Sequence, residues 1–364
     1  MDCAWKANWD ETKRRLCDWW NHTGLVVGGS AWAIGEDAEA HEAAEPVPRA
    51  RTVEQSYTDV EWRARYNHRA LARQCFGADV LPIANTDIGP GSLALFIGSE
   101  PGFSPQTVWF EPCMPDDDEP QDRPPLRFDA RNRWWRITEA TLRRCAELGR
   151  GKYMVGCPDL IENIDILAAL RGPQRLLEDM IERADWVSRK VAEINRVWFE
   201  AYERIYEIIA LADGGAAFGA FRLWGPGKTA KVQCDASAMF SPRMFERFVV
   251  PALTEQCEWL DCSMFHLDGH QCIRHLDALL QIDALDAIEW TPDPQVPSGG
   301  DPCWYDMYRR ILTAGKSVQA VGIKPPEIVP LLDAVGGRGM YILARIKSQA
   351  EAESILKTVE PYRR

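Results

Sequence analysis

The sequence lacks several features that would assign it to a class at once. No apolar run approaches the length of a bilayer span, so we expect no membrane segment. The opening segment, MDCAWKANWDETKRRLCDWW, has no continuous apolar signal region. The net charge is -12, whereas proteins that bind nucleic acid or anionic membranes are normally basic. Neither kind of partner is therefore expected.

Nucleotide-binding and metal-binding signatures are missing too. No G-x-G-x-x-G or P-loop pattern occurs, and no internal repeat is apparent. The 11 cysteines are scattered without a repeated C-x-x-C, and an odd number cannot all pair with one another. Without an export signal, reduced thiols in a cytoplasm are the simplest interpretation, so we expect a cytoplasmic protein.

What the sequence does contain is a large apolar fraction arranged in alternating patterns. Of its 364 residues, 46% are hydrophobic, which suffices for a large core. From Ala78 onward, strand-like apolar runs alternate with helical periodicities, and the number of strands approaches eight. This alternation predicts parallel strands with right-handed crossovers. The longest helical pattern, residues 173–212, has room for one break.

We therefore predict the α/β class and, within it, a (β/α)₈ TIM barrel with extra N-terminal helices. Residues 1–76 are predicted to form an N-terminal helical cap, in which the tryptophans need burial. Residues 77–364 are predicted to form the barrel, and the two parts one structural unit. A homodimer is expected, since the Trp-rich cap offers apolar surface.

Active sites of such barrels lie at the C-terminal ends of the strands, so polar residues at those positions become candidates. The catalytic candidates are Asp87, His266, Asp268 and Glu289. The substrate-binding candidates are Cys157, Asp159, Trp224, Gln233, Asp235, Trp290 and Lys324.

Several candidates also have an ordinary structural explanation. Asp87 precedes Ile-Gly-Pro-Gly and is able to cap a turn, and Cys157 is more often a packing residue than a nucleophile. Asp235 suits a turn, and Lys324 suits the loop before a helix. Glu289 follows an apolar run, so its carboxylate is expected to face the barrel mouth or to pair with a basic neighbour. These alternatives stay open at the level of sequence.

The stretch MFHLDGHQC concentrates ionisable groups. His266 and Asp268 are two apart on a predicted strand and therefore share one face, which we expect to be the barrel mouth. His270 and Cys272 belong to the following turn and helix. A zinc site needs at least three protein ligands, and no second cluster supplies a third at usable spacing. His266 and Asp268 are thus candidates for a site that binds a divalent metal such as zinc, or for an acid/base pair.

Three segments carry a resemblance to a known family: FGADVLPIANTDIGPGSLALFIG, CDASAMFSPRMFERFVVPAL and FHLDG. Over roughly residues 55–360 the chain resembles the uroporphyrinogen decarboxylase superfamily, which includes that decarboxylase and the corrinoid:thiol methyltransferases. The resemblance implies a (β/α)₈ barrel with a site at its C-terminal face. Asp87 falls on the decarboxylase's catalytic aspartate. His266 falls on a zinc-binding histidine of the methyltransferases, and Asp268 stands where they have a cysteine.

The expected function is a methyl (one-carbon) transferase or a lyase acting on a small polar substrate, with a corrinoid protein as a candidate partner. The alternatives are a decarboxylase of another carboxylated substrate, a carbohydrate-active enzyme, and a non-catalytic ligand-binding barrel or corrinoid-protein partner. The candidate carboxylates predict a negative mouth opposed only by Lys324, which would repel a polyanion such as uroporphyrinogen. Residues 21–50 contain one arginine, Arg49, so the arginine-rich segment of that decarboxylase has no counterpart.

Overall fold

The computed structural model of the chain describes residues 3–34, 39–114 and 123–363. The strands are β1 Leu25–Gly29, β2 Trp32–Ala33, β3 Gln74–Cys75, β4 Ile83–Ala84, β5 Glu100–Phe103, β6 Val108–Glu111, β7 Met154–Cys157, β8 Ala216–Phe218, β9 Leu223–Gly225, β10 Thr229–Gln233, β11 Cys262–Asp268, β12 Ala287–Thr291, β13 Ser317–Ile323 and β14 Met340–Ala344.

The helices alternate with these strands over most of the chain. They are α1 Trp9–Trp20, α2 Val53–Thr58, α3 Val60–Ala72, α4 Leu93–Phe96, α5 Arg133–Gly149, α6 Asn163–Arg171, α7 Pro173–Glu182, α8 Ala184–Ile209, α9 Pro242–Phe248, α10 Val250–Trp259, α11 Leu276–Leu280, α12 Tyr305–Thr313, α13 Pro325–Val335 and α14 Gln349–Val359. The long helical pattern is broken at Arg183, between α7 and α8, as the sequence allowed. Among the described helices, none combines the length and the apolar character needed to cross a bilayer.

The wall of the molecule consists of parallel strands in the order of a (β/α)₈ barrel, which confirms the predicted fold class. Strands β1, β14, β13, β12, β11 and β10 pair in that order, and β4, β7 and β8 form a second parallel run. The backbone N–H of Asp79 donates to the Val27 carbonyl at 2.8 Å, which ties the segment before β4 to β1. On the other side β8 and β9 lie against β10. Helices cover the outside of the wall.

The N-terminal region departs from the predicted helical cap. Leu25–Gly29 forms β1, is buried throughout and runs parallel to β14, so it belongs to the wall. The LVVGG run is only five residues long and follows tryptophans at helical spacing. The helical pattern of those tryptophans therefore dominated the prediction for this region. The boundary at residue 76 stays a prediction.

Helix α1 closes the end of the barrel where the strands begin. The indole N–H of Trp19 donates to the Val318 and Gly339 carbonyls at 3.3 and 3.1 Å. Val318 is the second residue of β13, and Gly339 directly precedes β14. Trp19 itself is fully buried. The covered end is therefore the N-terminal one, which leaves the C-terminal ends of the strands for a site.

Within the wall, strand β9 departs from the parallel order, because β8 and β9 form an antiparallel hairpin whose tight turn enters the barrel. The turn residues Phe221 and Arg222 both have φ of +55°, a left-handed conformation that is costly for side chains other than glycine. Two buried side chains hold it: the Gln319 amide donates to the Phe221 carbonyl, and the Tyr341 hydroxyl donates to the Arg222 carbonyl, both at 2.9 Å. Gly28 leaves room for Tyr341, since a Cβ there would lie 2.7 Å from the hydroxyl.

Candidate functional site

A row of polar side chains crosses the inner face of four neighbouring strands. Gln233 pairs with His266, His266 with Glu289, and Glu289 with Gln319 in the parallel register. Side chains of paired residues project to the same face of a sheet, and the Gln319 contact with the hairpin turn identifies that face as the interior. All four residues are buried. One layer of side chains inside the barrel is therefore polar.

His266 is held in a defined orientation within this row. Its Nδ1 hydrogen-bonds the Glu289 carboxylate, and the Thr291 hydroxyl donates to the other oxygen of that carboxylate at 2.6 Å. The Phe221 ring packs against the imidazole with centroids 4.5 Å apart. Burial alone would lower the pKa of His266, but the adjacent Glu289 carboxylate raises the pKa above its ordinary value. With Nδ1 engaged, Nε2 is the ring nitrogen left for a ligand or substrate.

Two carboxylates meet His266 at the barrel mouth. One potential ligand atom from each of Asp235, His266 and Asp268 lies within 4.8 Å of the others. The expectation that no third ligand is available was therefore wrong: Asp235 follows β10, while His266 and Asp268 lie on β11, and adjacent strand ends meet in space although they are far apart in sequence. Surrounding protein atoms and the nearby Asp165 carboxylate raise the pKa of Asp235 to about 6.

The position of Asp235 is fixed by a carboxylate that the sequence did not single out. Asp165, in α6, accepts hydrogen bonds from the backbone N–H groups of Asp235 and Ala236 at 2.8 and 2.9 Å. The Gln233 amide donates to the Asp235 side chain at 2.7 Å. Both main chain and side chain of Asp235 are thus oriented before any ligand arrives.

A buried lysine links this cluster to the ends of β4 and β7. The Lys231 ammonium lies 2.8 Å from an Asp159 carboxylate oxygen and also donates to the Gln233 side chain, with no exposed side-chain surface. The backbone N–H of Asp159 in turn donates to Asp87 at 2.5 Å. Lys231 was missed in the sequence, although the segment TAKVQCD places it at period two with Gln233 and Asp235, on the same face.

Asp87 has an unusual environment for a carboxyl group. Burial, followed by the neighbouring Asp159 carboxylate, raises the pKa of Asp87 to about 6, although the Arg63 guanidinium acts in the opposite direction. A group with such a pKa exchanges protons readily near neutrality. Asp87 therefore combines a turn-forming position with the properties of an acid or base.

The two tryptophan candidates do not reach the mouth, which corrects their predicted role in substrate binding. Trp224 lies on β9, which runs toward the closed end, and its ring meets Trp9 of α1 edge-on at 5.2 Å. Trp290 alternates with Glu289 and so faces the outer layer, where its ring lies 4.8 Å from that of Trp304. Both indoles are almost completely buried.

Cys157 and Lys324 take the ordinary structural roles that the sequence left open. Cys157 has no exposed surface, and burial raises the pKa of its thiol well above the ordinary value, so it presents neither a contact nor a thiolate to substrate. Lys324 occupies the N-cap of α13 and pairs with Glu327 at 3.1 Å. His270, as expected, starts the 3₁₀ helix His270–His275, and its Nδ1 hydrogen-bonds Asp293.

The fold and the cluster together define a (β/α)₈ barrel with a polar site at the C-terminal ends of its strands. No model of a known family matches the chain, and no curated protein matches it. Among solved structures, a methyltransferase from Methanosarcina mazei is similar with a TM-score of 0.59 and 9% identity, covering 96% of this chain and 98% of that one.

A second similar structure is a B12-independent methionine synthase from Shewanella sp. W3-18-1 in complex with selenomethionine. It has a TM-score of 0.50 and 10% identity, covering 93% of this chain and 99% of that one. Both likenesses support the predicted barrel fold, and at these identities they show the fold alone. Identities this low carry no information about the substrate of this chain.

Proposed function

We propose that the chain is an enzyme that binds a divalent metal ion, zinc in the first instance, through Asp235, His266 and Asp268. The proposed reaction is methyl (one-carbon) transfer involving a small polar substrate. The observation that carries the proposal is the orientation of His266: Glu289 occupies Nδ1, while Asp235 and Asp268 lie beside the ring. The resemblance to methyltransferases in fold supports the reaction class.

The donor set fits the proposed ion. Catalytic zinc sites commonly combine three protein ligands with one open position, and one imidazole with two carboxylates is within their range. Metal-binding histidines usually donate their second N–H to a carboxylate, as His266 does to Glu289. Replacing the expected cysteine by Asp268 makes the set harder, so oxygen-preferring divalent ions compete better here than at a thiolate site. When bound, the ion supplies Lewis acidity.

The residues of the chain would divide the remaining work. Glu289 keeps the proton on Nδ1 of His266 and so fixes the tautomer, and Thr291 orients Glu289. Asp87 would take up or release a proton, since its pKa lies near 6. Lys231 balances the charge of Asp159 where water is excluded. A corrinoid protein remains the candidate partner for the methyl group.

A lyase reaction, such as decarboxylation of another carboxylated substrate, is the second candidate. The raised pKa of Asp87 favours it, because a carboxyl group with a pKa near 6 is partly protonated near neutrality and is able to act as a general acid. A carbohydrate-active enzyme is less well supported, since the candidate indoles Trp224 and Trp290 are buried and offer no stacking surface.

The test is zinc binding by purified protein, measured by elemental analysis and by competition with a chromophoric chelator. Wild type should bind about one zinc per chain, and His266→Ala should lose at least tenfold in affinity with a melting temperature within a few degrees of wild type. His270→Ala is the matched control, because that histidine lies outside the cluster, and it should bind zinc like wild type. Equal zinc binding by all three proteins would refute the proposed metal site.

A further inference from the structure

A cavity of about 470 Å³ opens between the C-terminal ends of β1, β13 and β14, on the side of the mouth next to Phe221. Its lining includes Gly29 and Gly322 and the cationic residues Arg222, Arg345 and Lys347, with the Arg345 guanidinium close to Gly322. None of its lining residues is acidic. The mouth is therefore not uniformly negative, which corrects the expectation drawn from the strand-end carboxylates.

Among the residues that the structure describes, these three cations have no carboxylate partner. Arg345 and Lys347 are exposed, so water solvates them, whereas the buried Arg171 pairs with Asp179 at 2.8 Å. Arg222 is half-buried, and burial lowers the pKa of its guanidinium. Keeping a guanidinium partly desolvated without a counter-charge is unfavourable, so the arrangement suits an anion that arrives with the ligand.

Two glycines in the lining leave parts of the cavity wall without side chains. Gly322 has φ of +70° and lies at the register shift between Val321 and Ile323, while Gly29 lies so close to the wall that a Cβ would be 2.4 Å from the Ala344 carbonyl. The loop from β14 to α14 carries Arg345 and Lys347, and Ser348 and Glu351 cap the N-terminus of α14 that follows it. In barrels of this type, the loops after the last two strands frequently bind phosphate.

We propose that this cavity binds an anionic group of the substrate, a phosphate or a carboxylate, through Arg222, Arg345 and Lys347. Phe221 borders both the cavity and the His266 ring, so a ligand anchored here would extend past Phe221 toward the metal-binding cluster. The extension of the ligand toward the cluster rests on the proposed function, whereas binding of the anion in the cavity does not. The left-handed turn, fixed by Gln319 and Tyr341, gives Arg222 its place.

The experiment is calorimetric titration of the metal-free, full-length protein with inorganic phosphate and, separately, with succinate. Arg345→Gln should weaken binding of the accepted anion at least tenfold. Arg338→Gln is the matched control, because this exposed arginine precedes β14 at the opposite end of the barrel. It should change the affinity less than twofold. Arg222→Gln should behave like Arg345→Gln, but the Arg345 variant decides if the Arg222 variant does not fold.

Saturable binding of either anion that depends on Arg345 supports the proposal, and the preferred anion identifies a phosphorylated or a carboxylated substrate. No saturable binding by wild type, or equal losses in the Arg345 and Arg338 variants, would overturn it. His266→Ala separates the two proposals, since it should lose zinc and keep the anion. If wild type binds the anion but binds no zinc, the result counts against the metal site alone.

Discussion

Replacing Asp87 by asparagine should stabilise the protein at neutral pH. Burial and the Asp159 carboxylate raise the pKa of Asp87 from an ordinary value of 3.8 to about 6. The carboxylate form is therefore less favourable in the folded protein than in the unfolded chain. Asparagine keeps a side-chain oxygen that is able to accept the hydrogen bond from the Asp159 N–H, but it carries no charge.

The size and the pH window follow from these two pKa values. A group whose pKa is raised on folding contributes stability below about pH 4, and that contribution is lost as the pH rises through about 6. The complete loss corresponds to an upper bound of about 3 kcal/mol, because one pKa unit is worth about 1.4 kcal/mol. Asp87 is not fully enclosed, so we expect the variant to gain about 1–3 kcal/mol over wild type between pH 4 and pH 8.

The assay is urea unfolding of metal-free wild type and Asp87→Asn at several pH values between 4 and 8. The difference in free energy of unfolding should increase in favour of the variant as the pH rises and should level off above about 7. Zinc affinity should stay unchanged, which controls for damage to the mouth. A difference that is constant with pH, or one that favours wild type at pH 8, would show that Asp87 is not held in a charge-disfavouring environment.

Two further changes test the groups behind the mouth. Glu289→Gln should weaken zinc binding by about 10–100-fold, because it removes the charge that fixes His266, and unchanged affinity in the chelator competition would contradict this role. Lys231→Met should lower the free energy of unfolding by about 3–5 kcal/mol, because Asp159 is left as a buried carboxylate without its partner. The double variant with Asp159→Asn should recover part of that loss in urea unfolding. A loss below about 1 kcal/mol in the single variant would show that the pair is solvated.

The barrel could be predicted from the sequence because each of its later strands is followed by a helix with its own periodicity. The first strand could not be predicted from the sequence, because Leu25–Gly29 is short and follows a tryptophan-rich helix whose pattern dominates the region. The hairpin formed by β8 and β9 was not predicted either, because both strands are three residues long and too short for a clear pattern.

Within the site, alternation along one strand was the reliable guide, and contacts between strands were not. Placing His266 and Asp268 on one face needed only period two, whereas bringing Asp235 to them required the register between β10 and β11. Trp290 was misassigned although the same alternation assigns it to the face opposite Glu289. Asp165 acts through the backbone of a distant segment, and no pattern in the sequence announces such a contact.

In the turn of the β8–β9 hairpin, the main chain is held by the barrel strands, while the side chains of residues 221 and 222 line the mouth. Gln319 and Tyr341 bind the main-chain carbonyl groups of residues 221 and 222, and these bonds do not depend on which side chains the two residues carry. Substitutions at 221 and 222 therefore alter the lining of the mouth while the strands that support it keep their contacts. Two adjacent positions on a fixed backbone are thus a compact place for selection, natural or in the laboratory, to change the substrate of this barrel.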